Sequence, residues 1–170
     1  MCETPEVAGS LGWDGACERI ANWAILKDKE SKKELFIINT HLDHVGKLAR
    51  QEGVTLLIQR ASELSKGLPI IITGDFNASP QSDVIKHVLD DNNPIQMEDS
   101  RLVATTQGLN TEGEWTFHGF GEVPIEKREY IDYIFVSEDI QVDEFTILPE
   151  KLNNVYLSDH RPIVAKITIK

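Results

Sequence analysis

Short apolar runs separated by polar breaks dominate the chain, and their periods predict more strands than helices. Residues 19–27, "RIANWAILK", predict a strand, and residues 35–39, "LFIIN", predict a second one. The polar run between them, residues 27–34, is typical of a hairpin turn. We therefore expect the first two strands to pair antiparallel.

Two helices are predicted in the next part of the chain. Between residues 47 and 66 the apolar positions fall on one helical face, and Gly67 is placed to end that helix. Residues 68–73, "LPIIIT", are apolar on both faces and predict a strand inside a sheet. Ser79 and Pro80 suit the N-cap and the first position of a second helix, which we expect to continue to about residue 89.

The pattern weakens between residues 92 and 129, where we expect only a short strand in "GEWTFHGFG" followed by a surface loop. Three strands are then predicted at residues 130–137, 145–149 and 161–169. This mixture predicts an α/β (α+β) architecture with a central β-sheet. The length of 170 residues fits a single domain, residues 1–170.

Charge and composition exclude some classes of function. The 17 basic and 28 acidic residues give a net charge of −11, which repels polyanions and argues against a protein that coats nucleic acid. A bound divalent cation reverses the sign locally, so phosphate chemistry stays open. No transmembrane segment or signal peptide is recognisable, so localisation is unknown and cytoplasmic by default. Cys2 and Cys17 form either one bridge or two idle thiols.

Polar residues recur at the ends of predicted strands, inside one apolar strand and just before the last strand. Sheet-based enzymes collect such groups at one rim of the sheet, because neighbouring strand ends converge there. The residues that share this placement are His41, Asp75, Asn77, Asp132, Asp159 and His160.

Each of these positions also has a purely structural explanation. Asp75 and Asn77 can cap a turn, and His41 can be a core histidine bonded to the backbone. Asp132 is harder to explain in this way, because its apolar neighbours leave the carboxylate poorly hydrated and in need of a partner. His160 is the candidate partner.

Taken together, the groups predict hydrolysis of a phosphate ester by water. Asp159 offers the hard oxygen ligands that Mg²⁺ or Mn²⁺ prefers. His160, oriented and made more basic by Asp132, can take a proton from water. Neither a hydroxyl nor a thiol nucleophile is required.

Three further groups complete this predicted site. Asn77 and His41 can donate hydrogen bonds to the oxygens of a pentacovalent transition state. Asp75 can orient the attacking water or assist the metal. An aromatic shelf for carbohydrate around Trp13, Trp115 and Phe117 is a separate, less specific hypothesis.

Four motifs follow one another along the chain: "NTHLDH", "GDFNASP", "YIDYIFVS" and "SDHRP". In this order they resemble the endonuclease/exonuclease/phosphatase superfamily. The resemblance covers nearly the whole chain. The family comprises Mg²⁺- or Mn²⁺-dependent phosphodiesterases, phosphatases and nucleases. Its deoxyribonuclease I-like fold, a layered sandwich of two mixed sheets with outer helices, is what the resemblance implies here. The substrate class stays open between a small molecule, a lipid headgroup and a nucleic acid.

The resemblance also implies roles for individual residues. His160 is the expected general base and Asp132 its partner, while Asp159 is the expected metal ligand. Arg19 matches an arginine of bacterial relatives, where either a phosphate contact or structural support is the expected role. The remaining implied substrate-orienting or phosphate-contacting residues are Asp75, Asn77 and His41.

The sequence departs from the family at its start. The family's first strand, with a metal-binding Asn, and the following "QE", whose Glu is the main metal ligand, have no counterpart here. The chain therefore resembles only the C-terminal part of the domain. Asp14, Glu18 and Glu3 are acidic but lie in no matching context, and Tyr130 replaces an arginine found in many relatives.

Two consequences follow from this departure. Metal affinity should be weakened, and uncovered sheet faces favour a homo-oligomer. An inactive fragment or a non-catalytic interaction module of the same fold is therefore the alternative to an enzyme.

Overall fold

A computed structural model describes residues 3–110 and 112–170. Its strands are β1 Ala21–Lys27, β2 Glu34–His41, β3 Ile70–Asp75, β4 Met97–Asp99, β5 Thr106–Gln107, β6 Asp132–Ser137, β7 Ile140–Ile147, β8 Lys151–Leu152, β9 Val155–Tyr156 and β10 Ile163–Ile169. Its helices are α1 Lys47–Ser65, α2 Asp83–Val88 and α3 Ser100–Val103, with 3₁₀ turns at Gly119–Gly121 and Ile125–Lys127. Among the described helices, none has the length and apolar character needed to cross a bilayer.

The strands form two mixed sheets and a small hairpin. The larger sheet has the order β1-β2-β3-β6-β4, and only β2 and β3 within it are parallel. The smaller sheet has the order β10-β7-β5, with β10 antiparallel and β5 parallel to β7. The predicted sandwich of two mixed sheets and the predicted antiparallel pairing of β1 with β2 are confirmed.

The central strands of the larger sheet are covered on both faces. Helix α1 packs Val54, Leu57 and Ile58 into the same core as Phe36 and Ile72. On the opposite face, Ile71 and Val136 pack with Ile140 and Val142 of the smaller sheet. Burial of three consecutive isoleucines in β3 follows from this arrangement and agrees with the predicted interior strand.

Two aspartates that precede helix α1 accept hydrogen bonds from backbone N–H groups around its start. Asp43 Oδ1 accepts from the backbone N–H groups of Val45 and Gly46 at 2.8 and 2.7 Å. The Asp14 carboxylate accepts from Leu48 N at 3.1 Å and Ala49 N at 2.7 Å. The two Asp14 bonds satisfy N–H groups of the first turn of α1 that have no partner inside the helix, and the Asp43 bonds hold the turn just before it. Asp14 therefore caps α1, and it takes no part in the group of polar residues described below.

The helix ends as expected, with Lys66 in the left-handed region at φ 54° followed by Gly67 at φ 80°. The predicted start of the second helix is wrong. Its N-cap is Ser82, whose Oγ accepts from Ile85 N at 3.3 Å. Ser79 instead precedes the helix in a turn, where its carbonyl accepts from Ser82 N at 3.0 Å.

Residues 92–129 contain more structure than their pattern indicated, since β4, α3 and β5 all lie there. The expected strand in "GEWTFHGFG" is absent from the described residues. Phe117 makes only isolated bridges to Glu129 and His160, and a 3₁₀ turn follows. Strand β7 also begins at Ile140, five residues before its predicted start at 145.

Strands β1 and β10 lie at sheet edges and carry exposed apolar side chains, among them Trp23, Ile25 and Val164. Such edges are surfaces on which another chain can pair. The homo-oligomer expected from the sequence stays a prediction.

The ends of β2 and β3 approach each other closely at Gly74. A Cβ atom on Gly74 would lie 1.9 Å from the Thr40 carbonyl oxygen, and the residue has φ +147°. Only glycine accommodates both conditions. Gly74 therefore allows His41 and Asp75 to stand side by side at the carboxyl ends of two parallel strands.

We expect Gly74→Ala to lower the free energy of unfolding by about 2–4 kcal/mol, because steric overlap adds to backbone strain. Gly67→Ala is the matched control, since it has positive φ but open space around its Cβ. It should cost only about 1 kcal/mol. Urea unfolding of both variants measures the difference, and equal losses would contradict the account.

Candidate active site

Three adjacent strands bring their polar residues into one row. The register of the larger sheet places His41 opposite Asp75 and Asp75 opposite Asp132. Directly opposed residues project to the same face of a sheet. The sequence positions 41, 75 and 132 are therefore neighbours in space.

His160 joins this row from the segment before β10. Its Nδ1 lies 2.8 Å from Asp132 Oδ2, and the two side chains are 24% and 19% exposed. Because a carboxylate only accepts, Nδ1 carries the proton and donates it to Asp132. Nε2 of His160 is then the ring nitrogen available as a base, and it lies 3.9 Å from Asp75 Oδ2.

Asp75 serves both a turn and the site. Its Oδ1 accepts from Asn77 N at 2.8 Å, and its Oδ2 lies 3.3 Å from His41 Nε2. Asn77 adopts φ 46°, and its Nδ2 donates to the Leu42 carbonyl at 3.0 Å. The turn-capping explanation for Asp75 and Asn77 is thus correct for one oxygen, while the other oxygen faces two imidazoles.

Burial and hydrogen bonding shift the pKa values within this group. The hydrogen bond to Asp132 raises the pKa of His160. Burial raises the pKa of Asp75, and partial burial lowers the pKa of His41 although the Asp75 carboxylate opposes it. His160 is therefore a stronger base than a free histidine, and Asp75 ionises less readily than a free aspartate.

The donor atoms of this cluster suit a hard divalent cation. Ligand atoms of Asp75, Asp132 and His160 lie within 4.8 Å of one another. Mg²⁺ is commonly held by one or two carboxylates, with water and substrate oxygens completing its shell. Two carboxylates in one row meet that requirement.

Asp159, the ligand expected from the sequence, stands beside this cluster rather than within it. Its carbonyl accepts from His118 N at 3.0 Å and from Gly119 N at 3.1 Å. Its carboxylate lies near enough to raise the pKa of His160 by its charge. Its predicted role as a metal ligand stays a prediction.

Arg19 lies at the margin of the cluster. Its Nη2 lies 3.0 Å from His44 Nδ1, and its Nε lies 3.8 Å from Asp43 Oδ2. Its charge also contributes to the lowered pKa of His41. The structure thus brings together His41, Asp75, Asn77, Asp132 and His160, with Asp159 and Arg19 adjacent.

A second group, Cys17, Asp43 and His44, also places its donor atoms within 4.8 Å of one another. Asp43, however, is occupied by the backbone. Its Oδ2 accepts from Ala16 N and Cys17 N at 2.9 and 3.0 Å, in addition to the two bonds at the start of α1. Asp43 therefore holds two loops together. Cys17 is exposed and free, while Cys2 lies outside the described residues.

The proposed aromatic shelf is wrong for Trp115, which is only 6% exposed. The guanidinium carbons of Arg128 and Arg161 lie 4.2 and 4.5 Å from the centroid of its ring. Trp115 is therefore a core residue. Phe117, in contrast, lies against the site, with its ring centroid 5.0 Å from that of His160.

Thr116 is a residue next to the site that the sequence did not reveal. Its hydroxyl accepts from backbone N–H groups of Ile131 and Asp132, fifteen and sixteen residues further along the chain. Backbone partners carry no side-chain signal. The position could be found only from coordinates.

Comparison with known proteins identifies the family and the fold. A family model described as "Endonuclease/Exonuclease/phosphatase family" matches residues 7–160. An endonuclease/exonuclease/phosphatase structure from Bacteroides vulgatus has a TM-score of 0.89 at 36% identity, covering 99% of this chain and 62% of that one. The chain therefore has the deoxyribonuclease I-like fold of that structure.

Two further proteins are similar. A mannosyl-6-phosphatase structure from Bacteroides thetaiotaomicron has a TM-score of 0.75 at 29% identity, covering 94% of this chain and 61% of that one. Human nocturnin is 30% identical over 154 residues, which are 82% of this chain and 34% of nocturnin. The chain thus spans about a third of the human protein and about three fifths of the two bacterial ones.

We expect Asp132→Asn to lower the pKa of His160, because the amide removes the charge that stabilises imidazolium. Because the pKa of His160 is raised in the folded protein, its contact with Asp132 stabilises the fold when the ring is protonated. The stabilisation is fully present below the unfolded histidine value of about 6.5 and is lost as pH rises through the folded pKa.

The test combines NMR titration of His160 with urea unfolding at several pH values. The stability difference between wild type and Asp132→Asn should shrink as pH rises through the folded pKa. Asp143→Asn is the control, since Asp143 bonds Gln141 and Thr168 on the surface. A gap that widens with pH, or an unchanged His160 titration, would contradict the assignment.

Proposed function

The chain belongs to the endonuclease/exonuclease/phosphatase family, and we propose that it hydrolyses a phosphoester with water activated by His160. The observation that carries this proposal is the 2.8 Å contact between His160 Nδ1 and Asp132 Oδ2. It leaves Nε2 of the same ring directed to the row of polar residues on the sheet. The activities named for the relatives, a phosphatase among them, support the reaction class.

The proposed base acts through one nitrogen. Nε2 of His160 takes a proton from water as the water oxygen bonds to phosphorus and the bond from phosphorus to the ester oxygen breaks. The imidazolium that forms is stabilised by Asp132, and the alkoxide that departs takes up a proton from solvent or from that imidazolium. The proton on Nδ1 stays in the hydrogen bond with the carboxylate. Asp75, 3.9 Å from Nε2, is placed to orient the attacking water.

The phosphoryl group is proposed to lie against the neighbouring donors. The Asn77 amide has two N–H bonds, and one of them is used by the Leu42 carbonyl. His41, whose Nε2 lies 3.3 Å from Asp75 Oδ2, is the second proposed contact to these oxygens. Arg19 supplies positive charge at the margin for the same oxygens.

A divalent cation, Mg²⁺ or Mn²⁺, fits the two carboxylates of the row. Asp75 and Asp132 would hold it, with Asp159 as the adjacent third acid. When bound, it supplies positive charge that neutralises phosphate oxygens and stabilises the leaving group. On a chain of net charge −11, this local reversal of sign is what makes a phosphate site electrostatically favourable.

Among the substrate classes, a small phosphoester is favoured over duplex nucleic acid. The acidic surface repels long polyanions, whose binding depends on cationic contacts. Similarity to a mannosyl-6-phosphatase supports a small phosphorylated substrate. A non-catalytic module of the same fold is the competing function, because the chain spans only about three fifths of the bacterial relatives.

We expect His160→Ala to lower hydrolysis of bis(p-nitrophenyl) phosphate and of p-nitrophenyl phosphate, measured with Mg²⁺ or Mn²⁺, by about 10²–10⁴-fold. His87→Ala is the matched control, because His87 lies on α2 and contacts Thr55. Its rate should equal that of wild type. If His160→Ala and wild type have equal rates, the proposal is wrong.

Metal binding is tested separately by calorimetry with Mn²⁺. Asp75→Asn should weaken binding by at least about tenfold, since an amide is a poorer ligand than a carboxylate for a hard cation. Asp159→Asn shows in the same way whether the adjacent acid is a ligand. Asp143→Asn serves as a surface control, and undiminished binding by Asp75→Asn would argue for a site elsewhere.

A further inference from the structure

We propose that Thr116 is a positioning residue that sets the contact between His160 and Asp132. The inference rests on the proposed function, since it concerns the general base of that reaction. It depends on backbone hydrogen bonds that reach both members of the pair from one buried residue. Thr116 touches neither the substrate site nor the reacting atoms in this role.

The hydroxyl of Thr116 holds the Asp132 side of the pair. Thr116 is 0% exposed, and its Oγ1 accepts from Ile131 N at 3.0 Å and from Asp132 N at 3.2 Å. A hydroxyl oxygen has two acceptor positions, and both are used here. The start of β6, where Asp132 lies, is thereby tied to Thr116.

The backbone of the same segment holds the His160 side. The Thr116 carbonyl accepts from Arg161 N at 2.7 Å, and the neighbouring Phe117 forms a β-bridge with His160. One residue further, His118 N donates to the Asp159 carbonyl at 3.0 Å. Residues 116–118 therefore lie between the segment that carries Asp132 and the segment that carries His160.

Arg161 anchors the His160 side independently of the hydroxyl. The guanidinium is buried, with Nε donating to the Leu148 carbonyl at 2.8 Å and Nη1 donating to the Gly113 carbonyl at 2.7 Å. The Thr116 hydroxyl is thus the part of this framework that can be removed without unfastening His160. Its loss should displace Asp132 relative to a fixed imidazole.

Displacement of Asp132 has a defined chemical consequence. The carboxylate keeps the proton on Nδ1 and leaves Nε2 as the base, so a longer contact allows the other tautomer. Misplacement by about 1 Å in an active site can cost on the order of 10²-fold in rate. The bonds of the Thr116 hydroxyl go to the backbone of Ile131 and Asp132, which carries the partner of the proposed base, so the effect should fall on kcat rather than on KM.

The experiment compares Thr116→Val, which is isosteric but lacks the hydroxyl, with Thr116→Ser, which keeps it. We expect Thr116→Val to lower kcat about 10–100-fold with KM changed less than about threefold. Thr116→Ser should restore most of kcat. Equal kcat for Thr116→Val and wild type, or a loss in Thr116→Ser as large as in Thr116→Val, would overturn the proposal.

Ser137→Ala controls for simple structural damage. Ser137 lies at the other end of β6, is buried, and its Oγ accepts from Ile70 N at 2.9 Å. Its removal also leaves a buried N–H without a partner, but far from the pair. We expect it to lower stability while leaving kcat unchanged. A loss of kcat in Ser137→Ala that matches Thr116→Val would assign the effect to stability alone.

A spectroscopic readout separates this inference from the proposed function. In ¹⁵N-labelled protein, the ring nitrogen shifts of His160 report which nitrogen is protonated in the neutral ring. We expect the Nδ1–H tautomer in wild type and Thr116→Ser and a mixture in Thr116→Val. If His160→Ala proves as active as wild type, the proposed function fails, and the tautomer still decides on Thr116. An identical tautomer in all three proteins would reject the positioning role.

Discussion

The hydrogen bond between His160 and Asp132 is the interaction on which the rest of the site depends. The two residues are 28 positions apart in the sequence, yet Nδ1 and Oδ2 lie 2.8 Å apart. Sheet register places Asp132 beside Asp75, and Gly74 lets β3 approach β2 closely enough for Asp75 to meet His41. Thr116 connects the two chain segments that carry the pair. Several separate contacts of the fold therefore fix the orientation of the His160 imidazole.

The charges of this cluster favour binding of a cation. Two carboxylates and two imidazoles share a partly buried rim, and burial raises the pKa of Asp75. A hard divalent ion would relieve the repulsion between Asp75 and Asp132 and attract phosphate to an otherwise acidic surface. The same charge would let a protein of net charge −11 bind an anionic substrate. Metal and phosphate would each favour binding of the other.

Sequence patterns revealed the parts of this arrangement that are periodic or chemically conspicuous. Strand-end polar residues such as Asp75 and the acid within an apolar strand, Asp132, predicted a shared rim, and the structure places them together. Local signals that compete were less reliable. Ser79 followed by Pro80 predicted an N-cap, but Ser79 lies in a turn before the helix and Ser82 is the N-cap.

Other features lay beyond sequence reasoning for a physical reason. Short strands such as β4 and β5 are stabilised by neighbours distant in sequence, so their own composition carries little signal. Thr116 accepts hydrogen bonds from backbone N–H groups, and Asp43 holds its loops in the same way, although Asp43 lies within the motif "NTHLDH". Asp159 shows the converse case, since its motif was conspicuous while its carboxylate stands outside the row.

The most direct measurement is a crystal structure of the protein soaked with Mn²⁺ and inorganic phosphate, with the metal located by anomalous scattering. We expect Mn²⁺ to be coordinated by the Asp75 carboxylate. We also expect a phosphate oxygen or water about 2.6–3.2 Å from His160 Nε2, with Nδ1 still bonded to Asp132. Phosphate and metal bound away from this rim, or His160 turned away from Asp132 in the complex, would contradict this expectation.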